Sequence, residues 1–219
     1  MTSRTRLITV AGLAGLSLAV GGCKTKGDIV VDEGVGITAV HGPCPAVGIP
    51  DYTGDVTLFS RPGATDAGAI DVTAAMTNVR SSCDQTGERV YSAVGFDVLA
   101  RRMDTSTART VQLPYYVTVM RGGTAVVSKR LGTVTLSFAP GQERAQAHAQ
   151  AGAYVDKAEA TLPADIRNRI LRKRKAGGED AAVDPLAQPD VKAALARASF
   201  EVLVGFQLTD AQLAYNATR

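Results

Sequence analysis

From Ile37 onward the chain alternates apolar and polar residues with a period of two, and a chain so patterned is confined to strands that turn one face to a core. Asp55–Ser60 puts Val56 and Leu58 on one side, and Ala69–Arg80 sets Ile70, Val72, Ala74 and Met76 against Asp71, Thr73, Ala75 and Thr77. Further strands are expected from Val90 to Leu99, from Thr110 to Met120 and from Thr124 to Phe138. Asp84-Gln85-Thr86-Gly87, Asp104-Thr105-Ser106, Arg121-Gly122-Gly123 and Pro140-Gly141 bound them with turn chemistry, and Arg121–Thr124 between two β-rich runs predicts a hairpin.

Gln142–Val155 is harder to read. Alanines at 145, 147, 149, 151 and 153, then Val155, alternate with Arg144, Gln146, His148, Gln150, Gly152 and Tyr154. Alanine favours helix, but a helix here would carry alanine on every side and no apolar stripe, so a strand is expected. Leu162, Ile166 and Ile170 then recur at helical spacing behind Pro163, with Gly177-Gly178 as a stop, which predicts a helix over Pro163–Ala176 whose stripe docks on the strands. Glu179–Pro189 reads as an acidic loop, and Asp190–Ala198 as either a short helix or the upstream half of a long strand. Phe200, Val202, Val204, Phe206 and Leu208 mark the clearest strand, and Asp210–Ala217 closes with a short helix anchored by Leu213.

The class expected is therefore mainly β. Seven or eight strands with short turns over residues 37–208 resemble an immunoglobulin-like or fibronectin-like β-sandwich. The resemblance implies two packed sheets in a single domain, 37–219; the helical insertion read at about 156–190 before the last strand departs from a minimal sandwich, and a short C-terminal helix closes the chain.

The first residues carry an address. Arg4 and Arg6 precede an apolar run, Leu7–Val20, shorter than the roughly 20 residues that cross a bilayer, and Val20-Gly21-Gly22-Cys23 follows. That stretch resembles the signal peptide and lipobox of bacterial lipoproteins. The resemblance implies removal of residues 1–22 and acylation of Cys23, with the protein held to a membrane by its lipid. Lys24 stands where Asp would retain such a protein in the inner membrane, so the implied location is the cell envelope, on the outer membrane facing the periplasm. Residues 23–36 then form the lipidated cysteine and a flexible tether, whose 13 residues after Cys23 span roughly 20 Å.

With 45% hydrophobic and 21% charged residues the chain is neither disordered nor a multi-span membrane protein. Loss of residues 1–22 takes Arg4 and Arg6, so 24 basic against 21 acidic residues become 22 against 21, and no basicity is left to argue for nucleic acid. Eleven aromatics without a tryptophan argue against an aromatic-lined sugar or nucleobase groove. With Cys23 lipidated, Cys44 and Cys83 remain as an even pair in an oxidising compartment and predict a disulfide. A zinc site of His41, Cys44 and Cys83 lacks a fourth ligand, and no metal or cofactor is expected.

Few residues suggest chemistry. Arg167, Arg169, Arg172, Lys173, Arg174 and Lys175 form the only concentrated charge, a candidate surface for anionic lipid head groups, phosphorylated glycolipid or an acidic partner, or else a solvated helix end with Asp165 pairing Arg169. His148 sits on a polar face without a GxSxG or HExxH motif and with no acid placed in sequence to orient it. Asp51, Asp55, Asp66, Asp71, Asp97 and Asp104 fall at turns and outward positions without a calcium loop. Of Tyr115 and Tyr116, one ring must point inward and the other outward. The expected function is a non-enzymatic accessory, assembly or structural subunit of an envelope complex with a protein partner. The alternatives are an envelope hydrolase around His148 or an anionic glycolipid-binding module.

Overall fold

The structure is a computed structural model and describes residues 42–172 and 184–219. The signal peptide, Cys23, the tether, His41, Lys173, Arg174, Lys175 and the Gly177-Gly178 stop lie outside the described residues.

Among the described residues, eight strands form two four-stranded sheets. β2 (Asp55–Phe59), β3 (Ile70–Asp84), β4 (Arg89–Arg102) and β7 (Arg144–Asp156) make one, in the order β2-β3-β4-β7 and antiparallel throughout. β1 (Ala46–Gly48), β8 (Phe200–Phe206), β5 (Arg109–Arg121) and β6 (Ala125–Phe138) make the other, in the order β1-β8-β5-β6, with β1 parallel to β8. Val72, Phe96, Val98, Leu136, Val202 and Val204 are among the buried side chains between them, and each lies on the inward side of its strand's alternation. The alanine-rich segment is a strand, as its parity predicts, because Ala145–Ala153 pack against this core while Arg144, Gln146, His148 and Gln150 face away. The chain between strands follows its turn chemistry: Asp84 accepts from the Thr86 amide at 2.9 Å, and Gly122 and Gly123 take positive φ at the β5–β6 hairpin.

The two sheets end at β6 and β7 without a hydrogen-bonded strand between them. Tyr115 plugs this side. Its ring meets Phe96 edge-on at 5.1 Å and its hydroxyl donates to the Gln150 carbonyl at 3.3 Å. It reaches there over Gly132, where a Cβ would stand 2.4 Å from the ring. Tyr116, the next residue, points to the opposite face and lies beneath Lys129.

Between β7 and β8 come helix α1 (Ala164–Leu171), a 3₁₀ turn at Pro185–Ala187 and helix α2 (Pro189–Ala198). Asp190–Ala198 is thus helical, with Pro189 in the first turn and Val191, Ala194 and Ala198 as its buried stripe. The α1 stripe does not dock on the sandwich core as expected. Leu162 and Ile166 pack with Val191, Ala194 and Ala198 in a second, small core of their own. The anchor of α3 (Asp210–Thr218) also differs from expectation: Leu213 is exposed, and the buried residue is Asn216, which donates to the Tyr52 and Asp55 carbonyls at 2.8 Å. A Thr209–Gln212 capping box starts this helix, and Tyr215 meets Phe59 edge-on.

Two features tie the ends of the sandwich. Cys44 and Cys83 are bonded across 39 residues, joining the segment before β1 to β3 of the other sheet. Arg102, almost wholly buried at the end of β4, donates to the carbonyls of Gln142, Thr107, Thr105 and Ala139 at 2.8, 2.6, 3.3 and 2.7 Å and lies over the Phe138 ring. One guanidinium thereby holds the β4–β5 and β6–β7 connections together.

Candidate functional site

The outward face of the β2-β3-β4-β7 sheet gathers the polar chemistry. Register places Asp97 of β4 directly opposite His148 of β7, and their parity turns both away from the core. His148 Nδ1 lies 3.0 Å from Asp97 Oδ1, and Asn78 donates to the second carboxylate oxygen at 2.5 Å. Asn78 reaches it from a bulge: β3 carries one residue more than β4 between Thr77 and Arg80, and Asn78 takes up the extra residue at φ +54°. Asparagine tolerates that left-handed conformation, and the bulge re-aims its amide. Donation from Asn78, then from His148, holds the Asp97 carboxyl below its ordinary range. On the far side of the ring the Gln150 amide nitrogen stands 3.4 Å from His148 Nε2. With Nδ1–H directed to Asp97, Nε2 is the acceptor that this amide addresses.

Two hollows flank the cluster along the same face. One, of about 520 Å³, is lined by Arg80, Ser82, Tyr91, Gly95, His148 and Gln150 among others. The other, of about 770 Å³, lies over Thr73, Ala75 and Leu99, with Arg101, Arg144 and Arg219 at its rim. Arg101 pairs with Glu143 and Arg219 with Asp55, which leaves Arg144 as the rim cation without a described acidic partner. The sequence pattern turns Asp97 outward but shows no acid for His148, since the two are 51 residues apart and only strand register joins them.

The basic run of α1 is less available than its composition suggests. Arg169 does not pair with Asp165; it bonds Asp190 at 2.5 Å and the Gln188 side-chain oxygen, fastening α1 to α2. That contact draws the Asp190 carboxyl below its ordinary range. Arg172 is exposed and makes an interaction of its own, and Arg167 is exposed.

A second surface was not foreseen. The first half of β6, Ala125–Leu131, is exposed on both faces and forms a sheet edge, with Val126, Val127 and Leu131 each more than half exposed. No Asp or Glu occurs between Asp104 and Glu143, and this stretch carries Arg109, Arg121, Lys129 and Arg130. Arg109 is held by Asp71 through two hydrogen bonds and Arg121 by Glu159, so Lys129 and Arg130 are the cations left beside the exposed aliphatics.

Compared with known families, curated proteins and solved structures, the chain matches none.

Proposed function

We propose that this protein is a lipid-anchored lipoprotein of the outer membrane, facing the periplasm, and acts as a non-enzymatic accessory or assembly subunit of an envelope complex. Its partner is an acidic protein that docks on the β5–β6 hairpin. The observation that carries the docking is the exposed edge Ala125–Leu131, where three large aliphatic side chains stand beside Lys129 and Arg130 with no acid on either strand. Contiguous exposed apolar side chains mark interaction surfaces, and an edge strand offers unpaired backbone groups to an added strand. Two adjacent cations and a bulge at Val127 discourage pairing with a second copy, so the charge favours an acidic strand from a different protein.

The anchor reading rests on Arg4, Arg6, the apolar run and Val20–Cys23, and the Cys44–Cys83 bond agrees with an oxidising compartment. The fold reading extends to the immunoglobulin and fibronectin type: β3-β4-β7 and β6-β5-β8 repeat the strand orders A-B-E and C′-C-F of such sandwiches. On that reading β1 occupies the place of the last strand and α1–α2 are the insertion before F. The hydrolase alternative gains an imidazole oriented by Asp97, but none of the described hydroxyl or thiol groups hydrogen-bonds to it. The glycolipid alternative loses Arg169 to Asp190.

Purification of the lipidated protein from gently solubilised membranes tests the assignment. An acidic protein should accompany it in a salt-sensitive way, and the variant Val126→Ser, Val127→Ser, Leu131→Ser should lose that protein while melting as wild type. A protein that always runs alone, or a partner retained by the triple variant, refutes the docking.

A further inference from the structure

We propose that the outward face of β3, β4 and β7 is an oligosaccharide-binding site, with Tyr91 as its stacking platform, Arg80 and Gln150 as its hydroxyl partners, and Asp97 and His148 as the groups that hold Gln150 in place. The inference concerns a surface separate from the β5–β6 hairpin and does not depend on the docking there.

Four observations support it. Tyr91 lies flat on the sheet rather than standing from it: Gly152 has no side chain, and a Cβ there would be 2.3 Å from the Tyr91 hydroxyl oxygen and 2.7 Å from ring carbons. One ring face therefore covers Gly152, Tyr154 sits 4.7 Å away centroid to centroid at a tilt of 39° and overlaps part of the ring, and 37% of Tyr91 remains exposed, while Arg89 packs over the Tyr154 ring. A flat, half-exposed ring is the surface on which the apolar C–H face of a pyranose stacks, while its amphipathic edge stays wet.

The polar groups are fixed before any ligand arrives. Asn78 and His148 hold both oxygens of Asp97, and Gln150 approaches His148 in turn, so four side chains form a chain of hydrogen bonds across the face of the sheet. Sugar hydroxyls both donate and accept. Arg80 offers donors, and the Gln150 amide keeps one N–H and its oxygen, while both ring nitrogens of His148 are committed to Asp97 and Gln150; donors and an acceptor side by side suit hydroxyls, which do both. The hollow between ring and cluster holds about 520 Å³, within the range of ligand sites, and its floor of Ala93 and Gly95 lets a ring approach the backbone. An apolar ligand would leave the Arg80 guanidinium and the remaining Gln150 donor and acceptor without partners.

The low aromatic count argued against such a groove. It counts rings, however, and a platform needs only one or two brought together by register, as Tyr91 and Tyr154 are.

Saturation-transfer NMR and titration calorimetry on the full lipidated protein, in a detergent without a sugar head group, provide the test. The probes are chitohexaose, cellohexaose and hexagalacturonate, which distinguish amino-sugar, neutral and acidic glycans. At least one should bind, with a tenfold or greater loss of affinity in Tyr91→Leu, which keeps Gly152 covered, and in Arg80→Ala. Thermal melts and the co-purifying acidic protein should be unchanged in both variants. If none of the three probes binds, or if binding survives both substitutions, the inference is overturned. Loss of the protein partner in Tyr91→Leu with no saccharide binding would likewise overturn it, by making this face a protein contact.

Discussion

Replacement of Arg102 by Met should be among the most destabilising exchanges in the domain. The side chain is 1% exposed and gives four hydrogen bonds to main-chain carbonyls of Thr105, Thr107, Ala139 and Gln142. Methionine fills much of the volume but donates nothing, and the carbonyls cannot be mutated away, so the acceptors stay behind unpaired. Hydrogen bonds to a charged donor contribute roughly 1.5–3 kcal/mol each. Part of that sum returns, because the guanidinium no longer has to be desolvated and water reaches turns at the end of a sandwich. A net loss of about 4 kcal/mol is expected, in line with the roughly 3–5 kcal/mol that follows when a buried charged network is broken. For a domain of this size the melting temperature should fall by roughly 8–16 °C, at 2–4 °C per kcal/mol. Arg102→Lys keeps the charge but reaches fewer of the four carbonyls, and should lose at least half as much. Urea unfolding followed by circular dichroism, with unchanged slope, is the assay. A methionine variant within about 1 kcal/mol of wild type would show that the connections hold without the arginine, and the reasoning would be wrong.

Three other outcomes are expected. Cys83→Ala should cost roughly 2–5 kcal/mol, since closing a 39-residue loop removes unfolded-chain entropy that corresponds to about 4 kcal/mol, and both cysteines should resist alkylation until reduced; free thiols in protein taken from cells would exclude the bond there. Cys23→Ser should leave an unlipidated precursor, and mass spectrometry finding an unmodified mature N-terminus elsewhere would end the anchor reading. Asn78→Ala should raise the Asp97 pKa toward its ordinary value, because the largest cause of its depression is the Asn78 donor. A depressed carboxyl stabilises the fold above its unfolded pKa and loses that contribution as pH falls through the folded one, so the variant should differ least from wild type at strongly acid pH; carboxyl NMR titration that finds Asp97 unmoved would contradict the assignment.

Period two carried most of the strand architecture, including the alanine-rich β7, because parity decides which face meets the core whatever the side chain's size. Arg102 obeys the same parity, two residues on from buried Ala100. It went unread because Arg101-Arg102-Met103-Asp104 looks like the polar end of a strand, and nothing local shows that four carbonyls from two turns converge there. Three-residue β1 is too short to show a period, and its parallel pairing depends on β8 more than 150 positions away. The His148–Asp97 contact was invisible for the same reason, as a strand's face can be read locally but its neighbour and register cannot. Hydrophobicity points to Leu213 as the anchor of α3, whereas Asn216 is the buried residue because it answers two carbonyls that need a donor. The spacing of Leu162, Ile166 and Ile170 marks the apolar stripe of α1, but Asp190–Ala198 fits helix and strand alike by its local pattern, and the second core exists only once that segment is helix.

The central claim is that the exposed first half of β6 is where an acidic envelope protein docks. Site-specific photo-crosslinking from Val127 and Leu131 in intact cells, with the linked peptides mapped by mass spectrometry, tests it most directly. The account predicts crosslinks to an extended, acidic segment of one other protein, absent from a control position at Tyr52 and abolished by Lys129→Glu with Arg130→Glu. Crosslinks only to a second copy of this chain, or to an acidic protein regardless of the charge reversal, would contradict it.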